Sequence, residues 1–170
     1  MDDVDRLIGA FGSRGRRDHA LWKLDVLLDL GRLDDPRIGR FLIGVVMQAD
    51  EPTDVRADAL TRLRESSLQS DDRALAAAAG VFALAPGTDA QLRLHAAIVL
   101  GEFLDVEGIL GALGTLAVDS CEPIELRYNA FTSLQRAGPS TACVEFLRSL
   151  CADELLGPSA RALLASWCTA

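Results

Sequence analysis

Three sets of residues in this chain are of types that could carry chemistry: two histidines (His19, His95), four cysteines (Cys121, Cys143, Cys151, Cys168) and an evenly spaced row of arginines. A metal ion needs ligands converging at about 2 Å. The cysteines form no Cys-x-x-Cys pair, and no histidine lies within a few residues of one. They read as reduced, mostly buried thiols. His19 and His95 fall at equivalent positions two helix pairs apart, so packed helices about 8–10 Å apart would hold them roughly 20 Å from each other. His95 and Glu102 are seven residues apart, an awkward pair for one site. Glycine-rich phosphate loops are absent. The expectation is therefore no metal, no cofactor and no catalytic set.

The arginines belong to a recurring skeleton. Val55-Arg56-x-x-Ala59-x-x-x-Leu63 returns as Leu92-Arg93-x-x-Ala96-x-x-x-Leu100 and as Leu126-Arg127-x-x-Ala130-x-x-x-Leu134. Looser copies are Arg17-x-x-Ala20-x-x-x-Leu24 and Arg161-x-x-Leu164-x-x-x-Cys168. Successive arginines lie 39, 37, 34 and 34 residues apart. Such a period is the mark of stacked supersecondary units. The arginines Arg17, Arg56, Arg93, Arg127 and Arg161 keep register with the apolar pattern, which favours a structural ladder over an anion-binding row.

The elements that would hold this ladder are helices. Val4, Leu7, Ile8 and Phe11 mark a short first helix, and a longer one is expected from about Arg16 to Leu30, with Ala20, Leu24, Leu27 and Leu28 inward. On that reading Trp22 and Val26 lie opposite the stripe, and Trp22 is read as packing on the first short helix in preference to standing exposed as an interface anchor. Asp34-Asp35-Pro36 starts a helix whose stripe is Ile38, Phe41, Leu42, Val45 and Val46. Asp50-Glu51-Pro52 ends it, and Thr53 or Asp54 caps the next. The third pair starts at Asp71-Asp72, breaks at Pro86-Gly87, and is capped again by Thr88 or Asp89, its second helix running to about Leu104. The fourth starts at Asp105 with Val106, Ile109, Leu110, Leu113 and Leu116. The fifth carries Cys143, Phe146, Leu147, Leu150 and Cys151, and a last helix ends near Trp167. These readings give one domain, 1–170, of five units at about 1–32, 33–68, 69–104, 105–137 and 138–170. The fold class is all-α, an elongated right-handed α-solenoid.

Composition agrees. Hydrophobic residues make up 49 % of the 170 residues and aromatics only 5 %, which suits closely packed Leu/Ala/Val helices. The net charge of −8 repels phosphate backbones and anionic membranes, so neither nucleic acid nor membrane is expected as a partner. The basic cluster Arg14, Arg16 and Arg17 reads as a solvated helix start. The N-terminus shows no basic and apolar leader, and the longest apolar run, Ala74 to Ala85, is too short for a membrane helix. A cytoplasmic protein is expected.

Asp50-Glu51-Pro52-Thr53-Asp54-Val55-Arg56, the parallel Glu122-Pro123-Ile124-Glu125-Leu126-Arg127 and the ending Leu100-Gly101-Glu102-Phe103 resemble the HEAT-like repeats, in particular the short bacterial kind also found in phycobilisome bilin lyases. The resemblance covers nearly the whole chain and implies the fold rather than a task. It implies that the repeated arginines hydrogen-bond turn carboxylates and carbonyls, for which Asp50, Asp54 and Asp89 are near in sequence. Metal-dependent hydroxylases of similar repeats carry His-Glu dipeptides, and this chain has none.

Function is then expected on the second-helix, concave face, at positions that differ between copies: Trp22, Thr61, Arg64, His95, Ile98, Glu102, Tyr128, Thr132 and Arg136. The reading that follows is a non-enzymatic scaffold or adaptor for a protein partner, one with a basic surface given the charge. The alternative implied by the resemblance is a bilin-lyase-like or chaperone-like protein holding a hydrophobic small molecule in its groove. Ala77, Val81 and Leu84 form a second apolar stripe, which admits a homodimer without favouring it.

Overall fold

Aspartate, serine and proline set most of the helix starts. Asp2 accepts the N–H of Asp5 at 2.9 Å to begin α1 (Asp3–Phe11). After α2 (His19–Leu30), Asp35 accepts the N–H of Arg37 at 2.9 Å and Pro36 opens α3 (Pro36–Met47). Pro52 precedes α4 (Thr53–Glu65), with no side-chain cap, while Asp54 accepts the N–H of Val55. α5 (Ser70–Ala83) follows, and Asp89 accepts from Gln91 and Leu92 to start α6 (Ala90–Leu100). Gly108, at φ 85°, precedes α7 (Ile109–Val118), and Pro123 precedes α8 (Ile124–Ala137). Ser140 accepts the N–H of Cys143 to begin α9 (Thr141–Leu150), and α10 (Gly157–Cys168) closes the series. The computed structural model describes residues 2–13, 19–66 and 68–168, and among them there are ten helices and no strand. The protein is all-α.

The chain divides into two compact units, 1–99 and 100–170. In the first, α1 packs on α2 and α3, α2 on α4, and α3 on both α4 and α5. In the second, α7 packs on α8 and α9, and α9 contacts both α8 and α10. Small residues make these approaches close. Ala59, Ala96 and Ala130 have no exposed surface. At Gly114 on α7 a Cβ would run into the ring of Phe146 on α9, so nothing larger than glycine fits beneath that ring.

Four expectations change. On α2 the buried residues are Lys23, Val26, Leu27 and Leu30, while Leu28 is 45 % exposed and Leu24 only half-buried. The expected Ala20–Leu24–Leu28 stripe is thus rotated. The buried set matches Arg56, Ala59, Leu60 and Leu63 on α4 residue for residue, each 33 positions earlier. The expected helix start near Arg16, the cluster Arg14–Arg17 and the first ladder arginine Arg17 lie outside the described residues. In the third pair, α6 ends at Leu100, not about Leu104, and α7 starts at Ile109 rather than Asp105. Phe103, Val106 and Ile109 each donate to a carbonyl three residues back, a run of turns that leads into the left-handed Gly108. On α5, Ala77 and Leu84 are buried, and the open stripe is Ala74, Leu75, Ala78, Val81 and Phe82. Of the thiols, Cys143 is buried and Cys151 half-buried, but Cys121 and Cys168 are exposed.

The register of α2 can be read by truncation. Leu27→Ala removes a side chain with no exposed surface and should cost about 2–5 kcal/mol in urea denaturation, whereas Leu28→Ala should stay below about 1 kcal/mol. Equal losses would restore the stripe expected from the sequence.

Candidate functional site

The recurring arginine has one recurring bond. Arg56 Nε donates to the carbonyl of Val46 at 2.9 Å, Arg93 Nε to Leu84 at 2.9 Å and Arg127 Nε to Ala117 at 3.0 Å. A guanidinium nitrogen of Arg161 donates to the carbonyl of Cys151. Each reaches nine or ten residues back, onto the last turn or C-cap of the preceding helix. Those carbonyls lack partners within their own helix and carry the negative end of its dipole. A cation placed there satisfies an acceptor and locks the turn between the two helices. Burial pushes the Arg56 guanidinium below the usual arginine value. A ladder spent on helix ends has little left for an external anion. Asp54 and Asp89 serve backbone N–H groups instead.

Lys23 occupies the ladder position of α2. Its Nζ lies 2.5 Å from both carboxylate oxygens of Glu51, in the turn before α4, and 4.6 Å from the centre of the Phe11 ring. Both side chains of the pair are at least nine-tenths buried. Arg127 makes the same kind of forward link, to Asp153 in the turn before α10. The Asp153 carboxyl is held below the usual range, first by the N–H of Leu156 and then by Arg127. Neither acid stood out in the sequence, because each is one of many turn acids. Lys23 was hidden by Val26, which stands where the copies have alanine.

The expected partner-binding residues separate by exposure. In the first unit Trp22 is half-buried against α1, its Nε1 donating to the carbonyl of Ala10 at 3.2 Å. Val26 is buried. Thr61 is half-buried and donates to the carbonyl of Ala57 at 3.1 Å. Arg64, beside Glu65 at 3.3 Å, is exposed, and so are His95, with Nδ1 2.9 Å from the carbonyl of Gln91, and Ile98. In the second unit Tyr128 is 56 % exposed, Thr132 donates to the carbonyl of Tyr128 at 3.0 Å, and Arg136 pairs with Glu102. Among the described residues no three His, Cys, Asp or Glu side chains cluster as metal ligands do, and no described helix is long and apolar enough to cross a membrane.

A cleft of about 430 Å³ opens in the first unit between the α2–α3 and α4–α5 turns. Leu30, Ile38, Leu42 and Leu68 supply its apolar wall, with Arg62 and Asp72 as charged lining. Arg62 is engaged by Asp58 at 2.5 Å, and Asp72 by Arg40 at 2.9 Å. Nearby, Arg37 ties α3 to α1 through Asp2 at 2.7 Å and Asp5 at 2.9 Å, and also binds Asp35 at 2.7 Å. The Arg37 side chain, followed by its own N–H, holds the Asp35 carboxyl at about 2.

No protein-family model matches the chain, and no curated protein matches it.

Two outcomes follow from the ion pairs. Lys23→Met leaves Glu51 buried without a counter-charge and should cost about 3–5 kcal/mol by chemical denaturation, and adding Glu51→Gln should recover most of it. A double variant as unstable as the single one would mean the pair is not coupled. For Asp35, the folded value of about 2 lies below the ordinary 3.8. Its stabilisation is therefore complete above pH about 4 and is lost as pH falls through about 2. Thermal melts of Asp35→Asn should lie below wild type at pH about 6 and converge with it near pH about 2. A constant gap would rule out the carboxylate as the cause.

Proposed function

We propose that this chain is a HEAT-like α-solenoid of about five helix pairs that works as a non-enzymatic scaffold, holding a protein partner on its second helices. The observation that carries the reading is the division of labour along α4, α6 and α8. Arg56, Arg93 and Arg127 repeat the same carbonyl bond, while the positions beside them vary, as in the more open column Asp58, His95, Asn129 and the column Ala57, Leu94, Tyr128. Repetition inside with variation outside is how stacked helix pairs write specificity without altering their stacking. Arg64, His95 and Ile98 form the outward set of the first unit, and Tyr128 with the Arg136–Glu102 pair that of the second. Tyrosine and arginine are frequent anchors of protein interfaces. With a net charge of −8, the partner suits a basic surface, and a cytoplasmic setting goes with this reading.

Affinity capture from the native host with mass-spectrometric identification finds the partner. Ile98→Asp and Tyr128→Ala, tested singly, should each weaken that complex about tenfold or more in calorimetry while leaving the melting curve close to wild type. Binding unchanged in both variants would remove the second helices from the interface.

A further inference from the structure

The cleft between the α2–α3 and α4–α5 turns has a buried carboxylate in its wall. Asp72 stands in the first turn of α5 and lines the cleft, with its side chain only 6 % exposed. Its counter-ion, Arg40 on α3, donates to it through Nε at 2.9 Å, yet the Arg40 side chain is 74 % exposed. The anion is thus withdrawn from water while the cation that matches it is not. A carboxylate taken out of water needs a cation and its N–H groups close by. An arginine that stays in solvent meets that need only in part, because water and salt screen the pair from its side.

The rest of the lining carries the same sign. Four acids, Asp34, Asp35, Glu65 and Asp72, stand against two arginines, Arg32 and Arg62. Both arginines are held by aspartates outside the cleft, Arg32 by Asp29 at 2.9 Å and Arg62 by Asp58 at 2.5 Å. Arg62 is also packed on Gly31, where a Cβ would stand 2.6 Å from its Nη1. Asp34 and Glu65 are exposed, at the mouth. Leu30, Ile38 and Leu42, each no more than 5 % exposed, form the apolar wall. An apolar wall beside a buried carboxylate, with acids at the mouth, matches a cation carried on an alkyl stem. The volume of about 430 Å³ has room for one extended basic side chain.

On the scaffold reading above, we propose that this cleft takes an arginine side chain of the protein partner, its guanidinium on Asp72 in exchange for Arg40 and its stem along Leu30, Ile38 and Leu42. Arg40 gives up its bond and returns to the water that already surrounds most of it. A planar guanidinium can meet both oxygens of a carboxylate at once, which an ammonium does less well. An anion would be repelled by the lining, and a neutral alkyl group would gain the wall alone. Glu65 is the last residue of α4 and adjoins Arg64 of the partner-facing set, so a segment lying along that helix passes the mouth.

NMR titration of the isotope-labelled whole chain with n-butylguanidinium reads the cleft without any partner. Lining amides, those of Gly31 and Gly39 among them, should shift and saturate with a dissociation constant on the order of 1 mM. At matched concentrations n-butylammonium should bind more weakly, and butyrate and n-butanol should leave those amides in place. Asp72→Asn should weaken guanidinium binding at least about tenfold, whereas Arg40→Gln removes the competing cation and should tighten it about threefold. N-acetylarginine methylamide, the same head group on a peptide backbone, should bind at least as tightly as the free cation. No saturable shift, equal shifts with butyrate or n-butanol, an unchanged affinity in Asp72→Asn, or exclusion of the peptide form would each overturn the proposal. Circular dichroism checks that each variant remains helical. Should Asp72→Asn fail to fold, Arg40→Gln decides, because an affinity unchanged or lowered there rules out exchange on Asp72. Positive titrations with no partner captured from the host would strike the scaffold reading, and the partner as source, while the guanidinium site stands.

Discussion

One interaction organises the helix pairs: a basic side chain at the start of a second helix satisfies a carbonyl at the end of the first. A helix end leaves acceptors without partners, and in a tightly packed turn water cannot easily serve them. An arginine reaches them from the next helix with a planar, permanently charged donor. The bond also fixes where the second helix begins, since the arginine must stand nine or ten residues beyond its acceptor. That constraint explains why its spacing persists while the surface between copies changes.

The same position can look forward as well as back. Arg127 binds Ala117 behind it and Asp153 ahead. Lys23 has only the forward partner described, Glu51, and the ring of Phe11 beside it. A buried ion pair is weak evidence for stability in general, because desolvation offsets much of the attraction. Its stronger effect here is on register. Lys23 can enter the interior of the first unit only where Glu51 meets it, so the pair selects one rotation of α2 among several apolar options. The backward and forward links between helix pairs do not use Arg64, His95, Ile98 or Tyr128, whose bonds are local and whose side chains stay exposed.

Much of this was legible in the sequence. The helices, the turns at Asp34-Asp35-Pro36 and Asp89, and the inward Ala59, Ala96 and Ala130 follow from helical periodicity and cap chemistry, which are local. The candidate surface was legible only in part. Counting from the arginine skeleton places Ile98, His95 and Tyr128 outward, as found, because their helices carry the full pattern. Val26 was misjudged because α2 lacks it, whereas Trp22 packs against α1, as its place beside the first short helix implied. With leucines at 21, 24, 27, 28 and 30, several rotations of that helix offer an apolar face.

By itself, then, the sequence determined an all-helical chain, the place of most turns and the recurring arginine, since each depends on residues within one or two helical turns of one another. Only the tertiary structure decided which face of α2 is inside, that Lys23 takes the arginine's position, that α7 starts late behind a left-handed glycine, and that the open side of α5 is Leu75 and Phe82 rather than Ala77 and Leu84. These outcomes depend on partners such as Glu51, 28 residues away from Lys23. A helix with apolar residues on more than one side cannot choose its buried face until a neighbour packs against it.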